Sequence, residues 1–222
     1  GAAGQVNGGG GGQRQKRIRG SLETIGLLRR LREAAVPFLA VVGNHESTRS
    51  GQWLDLFADL GLAERLGSAP RTVGETAFYG LDHVPKSRRS ELDYDFTPHD
   101  ADHAVLVAHG LFTPFAHADW ETETVLAESN VDFDAVLLGD NHEPGTETVD
   151  GTWVTYCGST ERASAAEETA RGYNLVTVDD GVDIRRRTLD TRRFVFVSVS
   201  LSAGEGADRV HEQLQQRDVT DA

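Results

Sequence analysis

Three short segments of the chain combine a glycine with side chains that can bind a metal ion or move a proton. They are Gly43-Asn44-His45-Glu46, His109-Gly110 and Gly139-Asp140-Asn141-His142. Imidazole, carboxylate and amide groups suit borderline and hard divalent metals such as manganese or zinc. Within the third segment two ligand types, a carboxylate and an imidazole, are two residues apart, so both can lie on one side of an extended backbone. The three segments therefore indicate a site for divalent cations.

Each of these segments directly follows an apolar run that predicts a short buried strand. The runs are residues 38–42, 104–108 and 135–138. Strands buried on both faces have continuous apolar sequences, and the carboxyl ends of parallel strands are where α/β proteins build their sites. A single histidine after a strand is more often a loop residue than a ligand, and Asn44 alone could be a turn residue. Several such groups together favour a site, and those expected to cluster are Asn44, His45, His109, Asp140 and His142.

The periodicity of the rest of the chain predicts a layered α/β protein with mixed sheets. Helices are predicted at residues 22–35, with Ser21 as the N-cap and Pro37 as the stop, and at residues 53–62. The remaining predicted elements are strands at 77–81, 153–156, 174–178, 182–186 and 194–201, and a helix at 207–216. Helices and strands alternate early and strands dominate later, which fits mixed sheets covered by helices.

The composition is strongly acidic. Aspartate and glutamate number 35 against 22 lysines and arginines, a formal net charge of −13, and the lysines are Lys16 and Lys86 alone. An excess of carboxylates with so little lysine favours a protein that works in concentrated salt, where the repulsion between them is screened. The alternative is an ordinary acidic protein encoded by a GC-rich genome.

The sequence is not typical of a membrane-spanning protein or of one stabilised by disulfide bonds. No apolar stretch approaches the length of a membrane helix, so no membrane role is expected. The single cysteine, Cys157, cannot form an internal disulfide, which fits a reducing cytoplasm.

Residues 1–20 differ from the rest of the chain. They are rich in glycine and include basic residues but no acidic ones. We expect this tail to be disordered, because it buries too little surface to offset its backbone entropy. It is either a basic arm for nucleic acid or a foreign or damaged N-terminus.

The motifs place the sequence near a known superfamily. VVGNHE, VAHG and LLGDNH, in this order, resemble three of the five signature blocks of the calcineurin-like metallophosphoesterases. The run YCGSTER at residues 156–162 is similar to the segment after the last metal block in archaeal double-strand-break repair nucleases, relatives of the SbcD-type exonuclease subunit. The acidic composition points to a haloarchaeal member. The resemblance implies a four-layer α/β/β/α sandwich of mixed sheets.

The resemblance also implies a function. It implies a manganese-dependent DNA exo/endonuclease subunit of a double-strand-break repair complex, located in the cytoplasm. Its partners would be DNA and a coiled-coil SMC-like ATPase, and a homodimer is possible. The alternatives are another metallophosphoesterase, such as a phosphatase or nucleotide phosphodiesterase, and a non-catalytic fragment.

Roles for individual residues follow from the same resemblance. Asn44 and His109 would bind the second of two Mn²⁺ ions. Asp140 stands where most relatives have histidine and would bind that ion too. His142 would bind the first ion, and His45 would be the catalytic imidazole.

Two signature blocks of the superfamily, Asp-x-His and Gly-Asp, have no counterpart here. The first 44 residues contain no aspartate and no histidine. The resemblance therefore implies an N-terminally truncated protein that lacks its first two strands and is inactive as it stands. Residues 21–192 would form a partial nuclease domain, and residues 193–222 the start of a truncated capping domain.

We expect the protein to need molar salt for full stability. The screening length falls from about 10 Å at 0.1 M salt to about 3 Å at 1 M, so repulsion between carboxylates weakens. Thermal melts in KCl should therefore give a higher Tm at about 1 M than at about 0.1 M. KCl is preferred to sulfate, which strengthens apolar burial whatever the charge. A Tm that does not change would contradict a halophilic origin.

Overall fold

The computed structural model describes residues 10–45, 52–164, 167–192 and 197–216, with residues 10–19 described by their backbone alone. Within these ranges the α-helices are α1 Gly10–Glu33, α2 Trp53–Asp59, α3 Thr122–Glu128 and α4 Ala207–Gln215, and a 3₁₀ helix spans Lys86–Glu91. The strands are β1 Leu39–Ala40, β2 Glu64–Arg65, β3 Arg71–Val73, β4 Thr76–Leu81, β5 His103–His109, β6 Ala135–Gly139, β7 Gly145–Val149, β8 Thr152–Tyr156, β9 Gly172–Val178 and β10 Val182–Thr188. Every described helix is too short or too polar to cross a lipid bilayer.

A six-stranded mixed sheet forms the centre of the described fold. Its strand order is β3-β4-β5-β6-β8-β7. The four inner strands run parallel, and β3 and β7 pair antiparallel at the edges. The parallel strands end together, since Leu81 pairs with Ala108 and His109 with Gly139. The predicted α/β class with a mixed sheet is therefore confirmed.

Two small sheets accompany the large one. Strands β1 and β2 pair in parallel, and β9 and β10 form an antiparallel hairpin. The end of β1 is tied to the end of β4, because the Val42 N–H donates to Asp82 Oδ1 at 2.6 Å and the His83 N–H donates to the Val42 carbonyl at 2.8 Å. The hairpin is tied to β8, because Asn174 Nδ2 donates to Thr155 Oγ1 at 2.8 Å. Both small sheets thus flank the carboxyl end of the large one.

The main core lies against the large sheet. An aromatic trio of Tyr79, Phe96 and Phe133 packs edge to face, with ring centroids 5.3 to 5.7 Å apart. The Tyr79 hydroxyl donates to the Thr97 carbonyl at 2.7 Å, which satisfies its one polar group. Burial raises the pKa of Tyr79, so the phenol stays neutral.

Several predicted elements are confirmed within a residue or two, namely β4, β5, β6, β8, β9, β10 and α4. The apolar run 38–42 contains a strand of only two residues, because only Glu64 and Arg65 pair with it. The helix predicted at 53–62 ends at Asp59. Gly61 has a positive φ of 64°, and a glycine in this left-handed conformation commonly follows the end of a helix. Weaker patterns left β2, β3, β7, α3 and the 3₁₀ helix unpredicted.

The expectation for the N-terminal tail is corrected in part. Helix α1 begins at Gly10, so residues 10–20 are helical rather than disordered, and Ser21 lies inside the helix rather than at its N-cap. Residues 13–19 include good helix formers such as glutamine, arginine and lysine, and a helix already begun extends at low cost. The rest of the tail, residues 1–9, lies outside the described residues, as does Glu46.

The strand predicted at 194–201 is not observed where the chain is described. Residues 197–201 have no strand, and residues 193–196 lie outside the described ranges. The pattern of alternating valine and serine there predicts a strand only if a partner strand pairs with it.

We predict that Gly80→Ala destabilises the fold. A Cβ at Gly80 would lie 2.5 Å from the backbone carbon and Cβ of Leu66, which is 4% exposed. The expected loss in the free energy of unfolding is on the order of 1–3 kcal/mol, measured by urea titration at fixed KCl. The matched control is Gly26→Ala in α1, where nothing lies within 4 Å. It should gain about 0.5–1 kcal/mol, and equal stability of the two variants would contradict this packing.

Candidate metal centre

A cavity of about 620 Å³ opens at the carboxyl end of the parallel strands. The structure brings all five predicted site residues to its wall, namely Asn44, His45, His109, Asp140 and His142. Residues after β8, from Gly158 to Glu161, complete the lining with Ala163. The expected clustering of the three motifs is therefore present.

Strand register places the first two contributors. His109 is the last residue of β5 and pairs with Gly139, the last residue of β6. A Cβ at Gly139 would lie 3.0 Å from His109 Nδ1, so glycine at this position leaves room for the imidazole. Asp140 is the next residue, and its carboxylate lies beside the His109 ring.

Asp140 is the point where the three motifs meet. Asn44 Nδ2 donates to Asp140 Oδ1 at 3.0 Å, and His109 Nε2 lies 3.6 Å from the same oxygen. Asp140 has a backbone φ of 99°, a value that residues other than glycine rarely adopt. Such backbone strain concentrates at functional sites, because surrounding contacts must hold it in place.

His142 is oriented by a buried carboxylate. Its Nδ1 lies 2.7 Å from Glu167 Oε1, and Glu167 is only 7% exposed. The hydrogen bond from His142, followed by that from the Ala163 N–H at 2.9 Å, lowers the pKa of Glu167 and keeps it ionised. An ionised partner makes Nδ1 the donor, which leaves Nε2 of His142 as the nitrogen that can bind a cation.

Arg171 stabilises the loop that carries Asp140 and His142. Its side chain is fully buried and donates to the His142 carbonyl at 2.7 Å and to Ser159 Oγ at 3.1 Å. Its Nη1 also lies 3.7 Å from Glu167 Oε2, so the two buried charges compensate each other. This group of hydrogen bonds fixes the backbone of the loop that carries Asp140 and His142.

The loop after His109 has its own buried support. The Tyr156 hydroxyl donates to the Gly110 carbonyl at 2.6 Å and accepts from the Phe112 N–H at 2.9 Å. Tyr156 is 1% exposed, and burial raises the pKa of its phenol. Neutral tyrosine can then act as donor and acceptor at once, which both bonds require.

The sequence did not reveal Glu167, Arg171 or His83. The His83 ring lies edge-on to His109, with centroids 6.1 Å apart. Glu167 and Arg171 are separated from the His142 motif by more than twenty residues, and no spacing rule links them. The one available signal was the position of His83 just after a predicted strand, the same position that marked the other motifs.

The donor set is suited to a divalent cation but incomplete. Imidazole, carboxylate and amide groups come together at Asp140, His109 and Asn44. Over the described ranges, no group of three or more histidine, cysteine, aspartate or glutamate residues is placed to hold a metal ion. The described residues thus bring one carboxylate, one imidazole and one amide together at Asp140, with His142 on the same wall of the cavity.

Comparison with known proteins identifies the family. Residues 18–181 match the calcineurin-like phosphoesterase superfamily domain. The chain belongs to that superfamily. This confirms the resemblance of the three motifs, while the roles of the five residues within the superfamily site stay predictions.

The chain is also similar to archaeal proteins named DNA double-strand break repair protein Mre11. It is 71% identical to the protein from Haloferax volcanii, over 90% of this chain and 46% of that one. It is 57% identical to the protein from Halobacterium salinarum, over 94% of this chain and 55% of that one. The similarity to archaeal double-strand break repair proteins is thus confirmed, and the chain spans about half the length of these two relatives.

Among solved structures, one similar fold is that of TT1561 from Thermus thermophilus. The TM-score is 0.44 and the sequence identity 13%, over 75% of this chain and 79% of that one.

We predict that Arg171→Met destabilises the protein by about 3 kcal/mol or more, because it leaves a buried carboxylate without its cation. Unfolding by denaturant at fixed KCl measures this loss. The control is Arg185→Met, which breaks an ion pair with Asp183 between side chains 69% and 53% exposed. It should change stability by less than about 1 kcal/mol. Adding Glu167→Gln to Arg171→Met should recover part of the loss. Equal effects of Arg171→Met and Arg185→Met would contradict the stabilising role of the buried Arg171–Glu167 pair.

Proposed function

We propose that the chain is part of a DNA nuclease that acts at double-strand breaks and hydrolyses phosphodiester bonds with two Mn²⁺ ions. The observation that carries the proposal is the meeting of Asn44 and His109 at Asp140, in one cavity with His45 and His142. Membership of the phosphoesterase superfamily and the names of the similar repair proteins support the reaction and the substrate.

In this proposal the residues around Asp140 hold one cation. The Asp140 carboxylate and His109 Nε2 are the stronger ligands, and the Asn44 amide oxygen is a neutral, weaker one. His142 holds the other cation through Nε2, because Nδ1 is engaged with Glu167. Imidazole, carboxylate and amide ligands, together with the absence of a thiol cluster in the sequence, favour Mn²⁺ over softer metals.

The chemical step would be shared between the metal pair and His45. Two cations held close together would neutralise the phosphate and position the attacking and leaving oxygens. His45 is exposed beside the cavity, where a protonated imidazole could stabilise the developing charge or donate a proton to the leaving oxygen.

The 222 residues provide only part of the ligand set that this mechanism needs. A bridging carboxylate offsets the repulsion between two cations held close together, and residues 1–44 contain no aspartate. We therefore propose that this chain alone is inactive and that a bridging aspartate completes the centre in an active protein. A non-catalytic role of the chain by itself is the second candidate function, favoured by this incomplete set.

The proposed partners are DNA and a coiled-coil SMC-like ATPase, with a homodimer as a further possibility and the cytoplasm as the location. The names of the similar proteins, which place them in double-strand break repair, support DNA as the substrate.

We predict that the chain alone does not cleave DNA with Mn²⁺ above background. Replacing residues 1–9, ahead of α1, with the first two strands of a close relative that carries Asp-x-His and Gly-Asp should restore cleavage. His45→Ala in this extended protein should lower the rate by about 10²-fold or more while metal content is unchanged. Single-turnover cleavage of a labelled duplex and metal analysis measure the two quantities.

Two results would count against the proposal. Cleavage by a highly purified sample of the 222-residue chain would show that no bridging aspartate is needed. An extended protein that hydrolyses a chromogenic phosphate monoester but not DNA would be a phosphatase instead.

A further inference from the structure

The 3₁₀ helix Lys86–Glu91 carries positive charge on a strongly acidic protein. It has three cations, Lys86, Arg88 and Arg89, against one acid, Glu91, whereas the whole chain has a net charge of −13. A basic segment in such a chain is a candidate for contact with an anion, but most charged turns are merely solvated. Its position and its contacts decide between these two interpretations.

The segment follows β4 at the edge of the sheet where the candidate metal centre lies. The last residue of β4, Leu81, pairs with Ala108 at the carboxyl end of the sheet. The His83 ring contacts His109 with centroids 6.1 Å apart. Lys86 is three residues further on, so its Cα lies within roughly 11 Å of the Cα of His83 by the reach of the chain. The segment therefore begins at the same edge of the sheet as the cavity.

Arg89 fastens the segment to the loop that follows His109. Its side chain is 14% exposed, and its Nη1 donates to the Asp119 carbonyl at 2.7 Å. Its Nε donates to the Val84 carbonyl at 2.9 Å, and its guanidinium carbon lies 4.2 Å from the centre of the Trp120 ring. Trp120 in turn is 3% exposed and stacks on Phe112. The segment is thus rigidly placed relative to His109.

The other two cations face solvent from this fixed support. Lys86 is exposed and has no ion pair among the described residues, and Arg88 is 72% exposed with Nε 4.0 Å from Glu91. Other arginines are already engaged at shorter range, such as Arg71 with Glu64 at 2.6 Å and Arg209 with Glu212 at 2.8 Å. Among the described residues, Lys86 and Arg88 are thus two exposed cations of this segment that no carboxylate closer than 4.0 Å neutralises.

We propose that Lys86 and Arg88 bind the phosphate backbone of DNA as it enters the site. This inference rests on the function proposed above. A polyanion approaching a protein of net charge −13 is repelled, so positive charge held at the entrance offsets that repulsion where it matters. The contacts position the duplex and carry no sequence information. An acidic protein segment is the other anion that this surface could bind.

The test is fluorescence anisotropy of a labelled DNA duplex with the whole chain, in EDTA and over a range of KCl concentrations. The double variant Lys86→Ala/Arg88→Ala should bind several-fold more weakly. It should also reduce the slope of log Kobs against log [KCl] by about 1.8, since each phosphate contact contributes about 0.9. The charge-keeping variant Lys86→Arg/Arg88→Lys should retain most of the affinity and the slope.

The matched control is Arg185→Ala/Arg187→Ala, which removes two exposed cations with the same spacing on β10. It should leave the slope unchanged. An equal drop in the control, loss of the slope in the charge-keeping variant, or weaker binding of polyglutamate without weaker binding of duplex would each overturn the inference. Normal DNA binding by Lys86→Ala/Arg88→Ala would overturn this inference but not the proposed function. If the unchanged chain did not bind DNA at all, both would be overturned.

Discussion

The pairing of β5 with β6 sets His109 opposite Gly139, and the candidate metal centre depends on that register. A slip of one residue would turn every side chain of one strand to the other face of the sheet. Burial prevents the slip, because Leu106 and Val136 are 0% and 2% exposed and would lose their core contacts. The loops that carry the site residues therefore start from fixed positions, and the absent side chain at Gly139 gives the imidazole its space.

Buried polar groups then hold these loops in one conformation. The Tyr156 hydroxyl bridges two backbone groups after His109, while Glu167 and Arg171 bind the side chain and the backbone of His142. Charges as deeply buried as these are tolerated only when each has its partners, so the network is satisfied as a unit or fails as one. The benefit is a cavity whose ligands need little rearrangement when a charged group arrives.

The sequence alone was enough to predict the four inner strands of the large sheet and the clustering of the five candidate site residues, for one physical reason. Parallel strands buried on both faces have continuous apolar sequences, and polar residues just after them stand out. The supporting groups could not be found in this way, because Glu167 and Arg171 meet His142 only through the folded chain. The start of α1 was missed because its glycines and basic residues lack the apolar periodicity that predicts a helix. The helix is nucleated by the residues that follow and extends back through them. Residues 197–201 show the converse error, since alternating residues form a strand only where a partner strand pairs with them.

The most direct test of the centre is Mn²⁺ titration of the 222-residue chain, followed by NMR of its labelled histidine side chains in about 1 M KCl, where surface attraction is screened. Paramagnetic Mn²⁺ broadens nearby resonances even when it binds weakly. His109 and His103 form a matched pair, since they lie at opposite ends of β5 and each has an aspartate neighbour. We expect His109 and His142 to broaden first and His103 last, and Asp140→Asn to remove the broadening of His109. Equal broadening of His103 and His109, or an unchanged response in Asp140→Asn, would contradict a cation site centred on Asp140.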